Sequence, residues 1–508
     1  MKKILNAVTL LIILVGYVAM AVCSIIFLIV DREIISGFPI VCALAAIVLA
    51  LPLVGCSLLY KKRADKAGRT VGIVLTVLAI AVSIVCYLCM FVYVALQPYI
   101  NTGFARKLFP YAVFTFLFGV LCLLFVRKDS FLPIVLSLTV LCMAIISGGW
   151  IFFQPNAEYE NAKRVESVFV GGEDDYNTFR IPSLSVIPKD VLSEKLSIDA
   201  SDDFLIAVAE GRKNNAGDEG EIDLVMKTSF DGGKTWSPLK KVFAGEKVKF
   251  GNPTPIVDRE TGDFHLVYIV SDAGSGYVKY KLYDSVGRLR PDRTFEWLEP
   301  VEITFPGARI ALCAGPGRGV CLSDGRLVFA CYENYSDAES VAFLVMSSDH
   351  GKTWTRTDFI TKGNECDVVE LNDHSLLFVC RSNEDCSAIH LDRQQRFYHS
   401  SDGGVTWKSW ETNTPLRTPI CQCAFGNFGE EIFLTYPDCY ETRANLSVSL
   451  SEDGKTFRTL RLYNGPSGYS SAATTSDGDV CVLAEVGRLN YYERIDFIQI
   501  SKTVAEKN

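Results

Sequence analysis

The sequence predicts two unlike parts: an α-helical transmembrane region of about five spans over 1–154, and an all-β six-bladed β-propeller over 155–508. Three observations point there. Apolar residues crowd the first ~150 positions, giving the 508-residue chain a mean hydropathy of +0.22, above that of ordinary soluble domains. From Glu158 onward the chain turns to short strand-like runs punctuated by Gly, Asp and aromatic residues. Within that second part an octapeptide recurs at the spacing of a radial repeat.

The apolar runs cover 4–30, 38–60, 71–96, 109–126 and 131–153. Each is about the length a helix needs to cross a ~30 Å hydrocarbon core. The first lacks a small-x-small cleavage site and four more follow, so it reads as a span and not a signal peptide. Lys2 and Lys3 precede the first run; Lys61, Lys62, Arg63, Lys66 and Arg69 follow the second; Arg127 and Lys128 follow the fourth. The opposite loops carry only Arg32, Arg106 and Lys107. This bias puts the N-terminus inside, so a multi-pass membrane protein with its second part on the extracellular side is expected. The run centres hold no ionisable residue, which favours anchoring over transport.

The octapeptide reads Ser229-Phe-Asp231-Gly-Gly233-Lys-Thr235-Trp236, then Ser347 to Trp354, Ser400 to Trp407 and, shortened, Ser451 to Phe457. Its aspartates are 118, 53 and 51 positions apart, so the wide first gap fits two units with one copy lost. Short strands at a period of 50–60 residues give the propeller and, over the length available, six blades. Each copy suits a hairpin turn: Asp accepts backbone N–H groups, Gly takes a left-handed conformation and Trp packs beneath. One carboxylate per turn is too few for a calcium loop, and no zinc spacing of cysteines occurs, so neither metal nor cofactor is expected. The last blade is expected to pair a strand near Val165–Val170 with one near Ile495–Ile500.

A net charge of −8 with no basic patch argues against nucleic acid as a partner. Of the 17 cysteines, seven lie in the apolar region and ten beyond it. An oxidising exterior would let those ten pair, whereas Cys331, Cys380 and Cys481 sit in apolar runs suited to buried free thiols; the sequence leaves the choice open.

The most telling stretch is Tyr176-Asn177-Thr178-Phe179-Arg180-Ile181-Pro182-Ser183. Proline is expected to hold Ile181 extended and set Arg180 at the entry to a strand. Downstream come Glu210-Gly211-Arg212, Asp218, Asn364-Glu365, Cys380-Arg381-Ser382, Thr442-Arg443-Ala444, Gly468-Tyr469-Ser470 and Glu485. With the Phe-Arg-Ile-Pro tetrad and the repeated Asp-box octapeptides, these make residues 160–500 resemble the sialidase (neuraminidase) family, in a membrane-anchored form.

The resemblance implies an exo-α-sialidase acting on sialylated glycoproteins, glycolipids or oligosaccharides. It casts Arg180, Arg381 and Arg443 as the carboxylate-binding triad and Arg212 as a further substrate-binding arginine. Asp218 matches the acid/base, Glu365 the base that serves Tyr469 as nucleophile, and Glu485 the partner that orients Arg180. The chemistry suits these types. A sialoside keeps its carboxylate throughout the reaction, so fixed, permanently charged forks bind it best. An attacking carboxylate would be repelled by that charge; a neutral tyrosine is not, the known departure of sialidases from the two-carboxylate rule. A non-catalytic sialic-acid-binding propeller needs the arginines but not Asp218, Glu365 and Tyr469, and a different Asp-box protein needs neither set. Transfer of sialic acid to another sugar would use the same residues.

Overall fold

The computed structural model describes residues 157–507, apart from 276–279, 308–310, 335–338, 382–394, 415, 417, 440–442 and 489. The five apolar runs lie outside these. Among the described residues the helices are Lys189–Glu194 and Lys502–Lys507, six residues each. No helix there is long and apolar enough to cross a membrane, which takes about 20 residues. The transmembrane region and the multi-pass, outward-facing placement are corrected accordingly and carry no weight below.

The described residues are all-β, but the strands do not resolve into six separate blades of a closed ring. They pair into four sheets of nine, seven, six and four strands. The reason lies at the joins between successive antiparallel meanders. The 17-residue strand Arg458–Thr474 pairs with Ala444–Ser451 along its first half and with Val480–Val486 along its second, so one sheet runs through two repeats. A parallel bridge between Ile222 and Lys249 joins two more. The expected pairing of the chain ends is present: Arg164–Val170 lies antiparallel to Arg494–Ile500.

Burial explains the sequence pattern. Phe204–Arg212 and Val480–Val486 are buried at every position, and strands covered on both faces read as continuous apolar runs instead of alternating. Between neighbouring units the apolar faces merge; Phe169, Phe179, Leu205, Val225, Leu483 and Phe497 share one core. The nine described cysteines are all free, most of them buried, and behave as small hydrophobes.

The octapeptides are the turns expected. Asp231 accepts the Lys234 and Thr235 amides at 3.0 Å and the Thr235 hydroxyl at 2.6 Å, while Ser229 Oγ accepts the Gly233 amide at 2.9 Å. These donors hold the Asp231 carboxyl down at about 2 against the cost of burial. Gly233 has φ of +83°, and a Cβ there would strike Phe497 in the last strand, so the turn seals one unit against the next. Towards the middle, a buried polar relay ties several units together. Ser471 Oγ accepts the Leu184 amide at 3.0 Å and donates to Gly317 O at 3.1 Å; Gln422 donates to Pro316 O at 3.0 Å and accepts the Ser470 amide at 3.2 Å. That relay fixes the strand ends from which the site is built.

Candidate active site

Arg180 stands at a bulge. The pairing of Thr178–Ile187 with Phe204–Arg212 slips between Arg180 and Ser183, and Ile181 has φ of +52°. Pro182 was expected to keep Ile181 extended; the structure places this β-branched residue in the left-handed region instead, a strain of about 1–3 kcal/mol. Its partner explains why. Glu485 is fully buried (0% exposed) and accepts the Ile181 amide at 3.0 Å, the Tyr469 amide at 3.1 Å, and Arg180 Nε and Nη2 at 3.1 and 3.4 Å. The turned-in amide and the guanidinium thus bind one carboxylate. Gly468 must be glycine, because a Cβ would overlap that carboxylate.

Glu365 and Arg381 face each other just beyond the paired strands Cys366–Glu370 and Leu376–Cys380, held by the Arg381 amide donating to Glu365 O at 2.8 Å. Arg381 Nη1 bonds the Glu365 carboxylate and donates to the Tyr469 hydroxyl at 3.1 Å. Tyr469 in turn donates to Glu365 Oε1. The Tyr469 ring is shared: Arg180 Cζ lies 5.1 Å and Arg443 Cζ 5.2 Å from its centroid. Arg443 is held by Ile420 O, which accepts its Nε at 3.1 Å and Nη2 at 3.0 Å. Three arginines distant in sequence therefore converge on one phenol.

Arg212 and Asp218 complete the group. Arg212 is buried, its Nη2 bonding Glu210 at 2.6 Å and Asp218 at 2.8 Å; Asp218 also lies 3.6 Å from Arg180 Nη1. The structure thus brings all eight sequence-predicted residues into one connected cluster.

The electrostatics separate the two key groups. Burial, then the Glu365 carboxylate, push the Tyr469 phenol well above its ordinary range; Arg381 and Arg443 only partly offset them. The phenol is neutral. Partial burial works against ionising Asp218, but Arg212, Arg180 and Lys249 outweigh it and hold this carboxyl well below the usual range, although its side chain is 46% exposed. Asp218 is an anion in the ligand-free site.

Sequence reasoning missed several neighbours. Glu210 was visible in principle, since strand alternation puts it on the same face as Arg212. Asn252 is left-handed, its amide bonding Glu210 at 3.0 Å, and its side chain bonds Ala314 O at 2.9 Å. Lys249, buried with its Nζ 2.8 Å from the Tyr280 hydroxyl, gave no local signal.

Comparison with known proteins gives the wider setting. The BNR repeat-like domain family matches residues 203–482. A sialidase of Paraclostridium sordellii is 25% identical over 413 residues, 72% of this chain and 95% of the relative. A sialidase of Micromonospora viridifaciens is 24% identical over 63% of this chain, which spans only 52% of that relative's length. Among solved structures, the Hadza microbial sialidase Hz136 superposes with a TM-score of 0.56 at 23% identity, covering 66% of this chain and 68% of its own. The intramolecular trans-sialidase of Ruminococcus gnavus gives 0.53 at 16% identity, covering 68% and 98%. These likenesses reach the fold. With the match covering more than half of the 508 residues, this chain belongs to the BNR repeat-like domain family, and the curated relatives aligned across the same region are sialidases.

Proposed function

We propose that the chain is an exo-α-sialidase, with residues 155–508 as its catalytic part, which hydrolyses terminal α-linked sialic acids and retains the anomeric configuration. The observation that carries this reading is the Tyr469 hydroxyl, bonded to both Glu365 and Arg381, on a ring flanked by Arg180 and Arg443.

In this reading Arg180, Arg381 and Arg443 bind the sialoside carboxylate, and that anion keeps the reacting carbon beside the phenol. Glu365 takes the phenolic proton as the oxygen attacks the anomeric carbon, while protonated Asp218 delivers its proton to the departing glycosidic oxygen. The aglycone leaves as an alcohol, and the sugar is held on Tyr469. Asp218, now ionised, removes a proton from water that attacks from the vacated side. Glu365 returns the proton to the tyrosine, and sialic acid leaves as the α-anomer. The transition state's positive charge develops beside the bound carboxylate, which stabilises it.

Asp218 must gain a proton before the first step. A substrate carboxylate bound to Arg180 would loosen the 3.6 Å pair between Arg180 and Asp218 and bring a like charge near Asp218, and enclosure by the sugar would favour the neutral acid further. The test is release of sialic acid from a chromogenic α-sialoside by the full chain, followed by proton NMR of the first product. Appearance of the β-anomer first would refute the tyrosine mechanism. Product analysis with an added acceptor sugar separates hydrolysis from transfer.

A further inference from the structure

The turn between the strands Val480–Val486 and Arg494–Ile500 is not one of the octapeptides, and it is tied down from within. The Glu493 carboxylate accepts the amides of Arg488 and Asn490, both at 3.0 Å, and Asn490 Oδ1 takes the Tyr492 amide at 3.0 Å. Tyr463 donates its hydroxyl to Gly487 O at 2.8 Å, and the Gly487 amide reaches Pro466 O at 3.1 Å. A turn so held presents its side chains at fixed places.

Two of these are the tyrosines 491 and 492, packed edge to face with centroids 4.4 Å apart. Arg180 Cζ lies 4.4 Å from the Tyr492 ring centroid. Arg443 Cζ lies 5.4 Å from that of Tyr491, and its Nη1 donates to the Tyr491 hydroxyl at 3.4 Å. Each of the two guanidinium groups thus touches the nucleophile's ring and one ring of this turn. The chemistry of the fork gives the arrangement a purpose. A further carboxylate would steady an arginine only by occupying N–H donors that the substrate needs. For Arg180 the Tyr492 face attracts the cation through its quadrupole without occupying in-plane donors, whereas Arg443 is steadied by the Tyr491 ring and hydroxyl together.

We infer that Tyr491 and Tyr492 are positioning residues that hold the Arg443 and Arg180 guanidinium groups at the spacing a sialoside carboxylate requires. The inference rests on the sialidase reading above. It is tested in the full chain by KM and kcat on a chromogenic α-sialoside, and by calorimetric affinity for an unsaturated sialic acid analogue that carries the carboxylate.

Tyr492→Leu raises KM and weakens the analogue by about tenfold, between the exposed and the desolvated scale of a cation–π contact, with kcat much less affected; Tyr492→Phe, which keeps the ring, restores most of the loss. Tyr491→Leu acts in the same direction through Arg443. In Tyr492→His the KM, relative to wild type, climbs on the acid side of the ordinary imidazole range, where an imidazolium, its titration pushed down by Arg180, opposes that guanidinium. Should the leucine variant fail to fold, that pH dependence decides the matter within one folded protein. Leucine and histidine variants with wild-type KM and analogue affinity, or with kcat alone reduced, overturn the inference. A wild-type chain that neither cleaves the sialoside nor binds the analogue removes the sialidase reading and this one with it. Wild-type turnover with indifferent variants removes only this one.

Discussion

Replacing Glu485 by glutamine removes the charge on which the centre of the site converges. The carboxylate accepts four N–H groups, two from Arg180 and one each from the Ile181 and Tyr469 amides. Glutamine keeps one oxygen but turns an NH₂ group towards donors, leaving an N–H unpaired and Arg180 with only the half-exposed Asp218, 3.6 Å away, as a counter-charge. Arg180 is only 5% exposed, so solvent screening offers little relief. Breaking a buried pair costs about 3–5 kcal/mol. A folded region of about 350 residues has an unfolding entropy of ~0.7 kcal/mol/K, so the melting temperature should fall by roughly 4–7 °C. The strained Ile181 also loses the bond that holds it left-handed, which lets Arg180 move, so KM for an α-sialoside should rise as well. Calorimetric melting and steady-state kinetics on the same Glu485→Gln sample check both. A melting temperature within a degree of wild type, with KM unchanged, would show that this carboxylate does not hold the bulge or the arginine.

Tyr469→Phe keeps the ring beside Arg180 and Arg443 but removes the hydroxyl proposed to attack. Turnover should fall by roughly 10³-fold or more while calorimetry shows carboxylate-bearing analogues still binding; retained turnover would exclude Tyr469 as nucleophile. Arg381→Ala should instead weaken analogue binding by about 2–5 kcal/mol. Because Asp218 is held ionised in the free site, kcat/KM should decline with rising pH earlier than kcat does, the first reporting free enzyme and the second the complex; coincident profiles would contradict a substrate-induced rise. His265 gives a stability test: burial pulls its imidazole down, but the Asp284 carboxylate 2.9 Å away outweighs that and raises it above 6.5. Its contribution is therefore complete below pH 6.5 and lost as the pH climbs through the raised value, so wild type should lose melting temperature from pH 6 to pH 8 more steeply than His265→Gln.

What could be read from the sequence followed from how local its cause was. Each octapeptide carries its whole turn within eight residues, so Asp231 and Gly233 announce the geometry they adopt. The candidate site was legible because each arginine, carboxylate and tyrosine comes with its own short context, such as Phe-Arg-Ile-Pro or Glu-Gly-Arg. Ile181 was misread because the Pro182 rule speaks only of neighbours, whereas its φ is set by Glu485, some 300 positions away. Four sheets emerged in place of six blades for a similar reason. Whether Arg458–Thr474 ends at a repeat boundary or continues into the next unit depends on partners at both ends, which its own residues do not specify. The turn tyrosines and Lys249 were invisible because an isolated aromatic or lysine carries no sign of what it will face.

The same distant pairing explains how the site exists without its ligand. Four arginines within one small volume would repel one another and resist burial. The fold compensates with carboxylates for three of them, Glu485 for Arg180, Glu210 for Arg212, Glu365 for Arg381, with Asp218 shared between Arg212 and Arg180, while Arg443 is held by the Ile420 carbonyl. Glu485 and Glu210 are almost wholly buried, whereas Asp218 sits on the turn after its strand with nearly half its side chain in solvent. In the proposed reading, a substrate carboxylate on Arg180, Arg381 and Arg443 would therefore displace Asp218 from Arg180, the longest of these pairs at 3.6 Å. Asp218 would then keep Arg212 but face a second carboxylate, a like charge that favours its protonated form. In the proposed mechanism, binding and acid catalysis would be linked through that approach of two carboxylates, so that a site able to hold an anion could also deliver a proton.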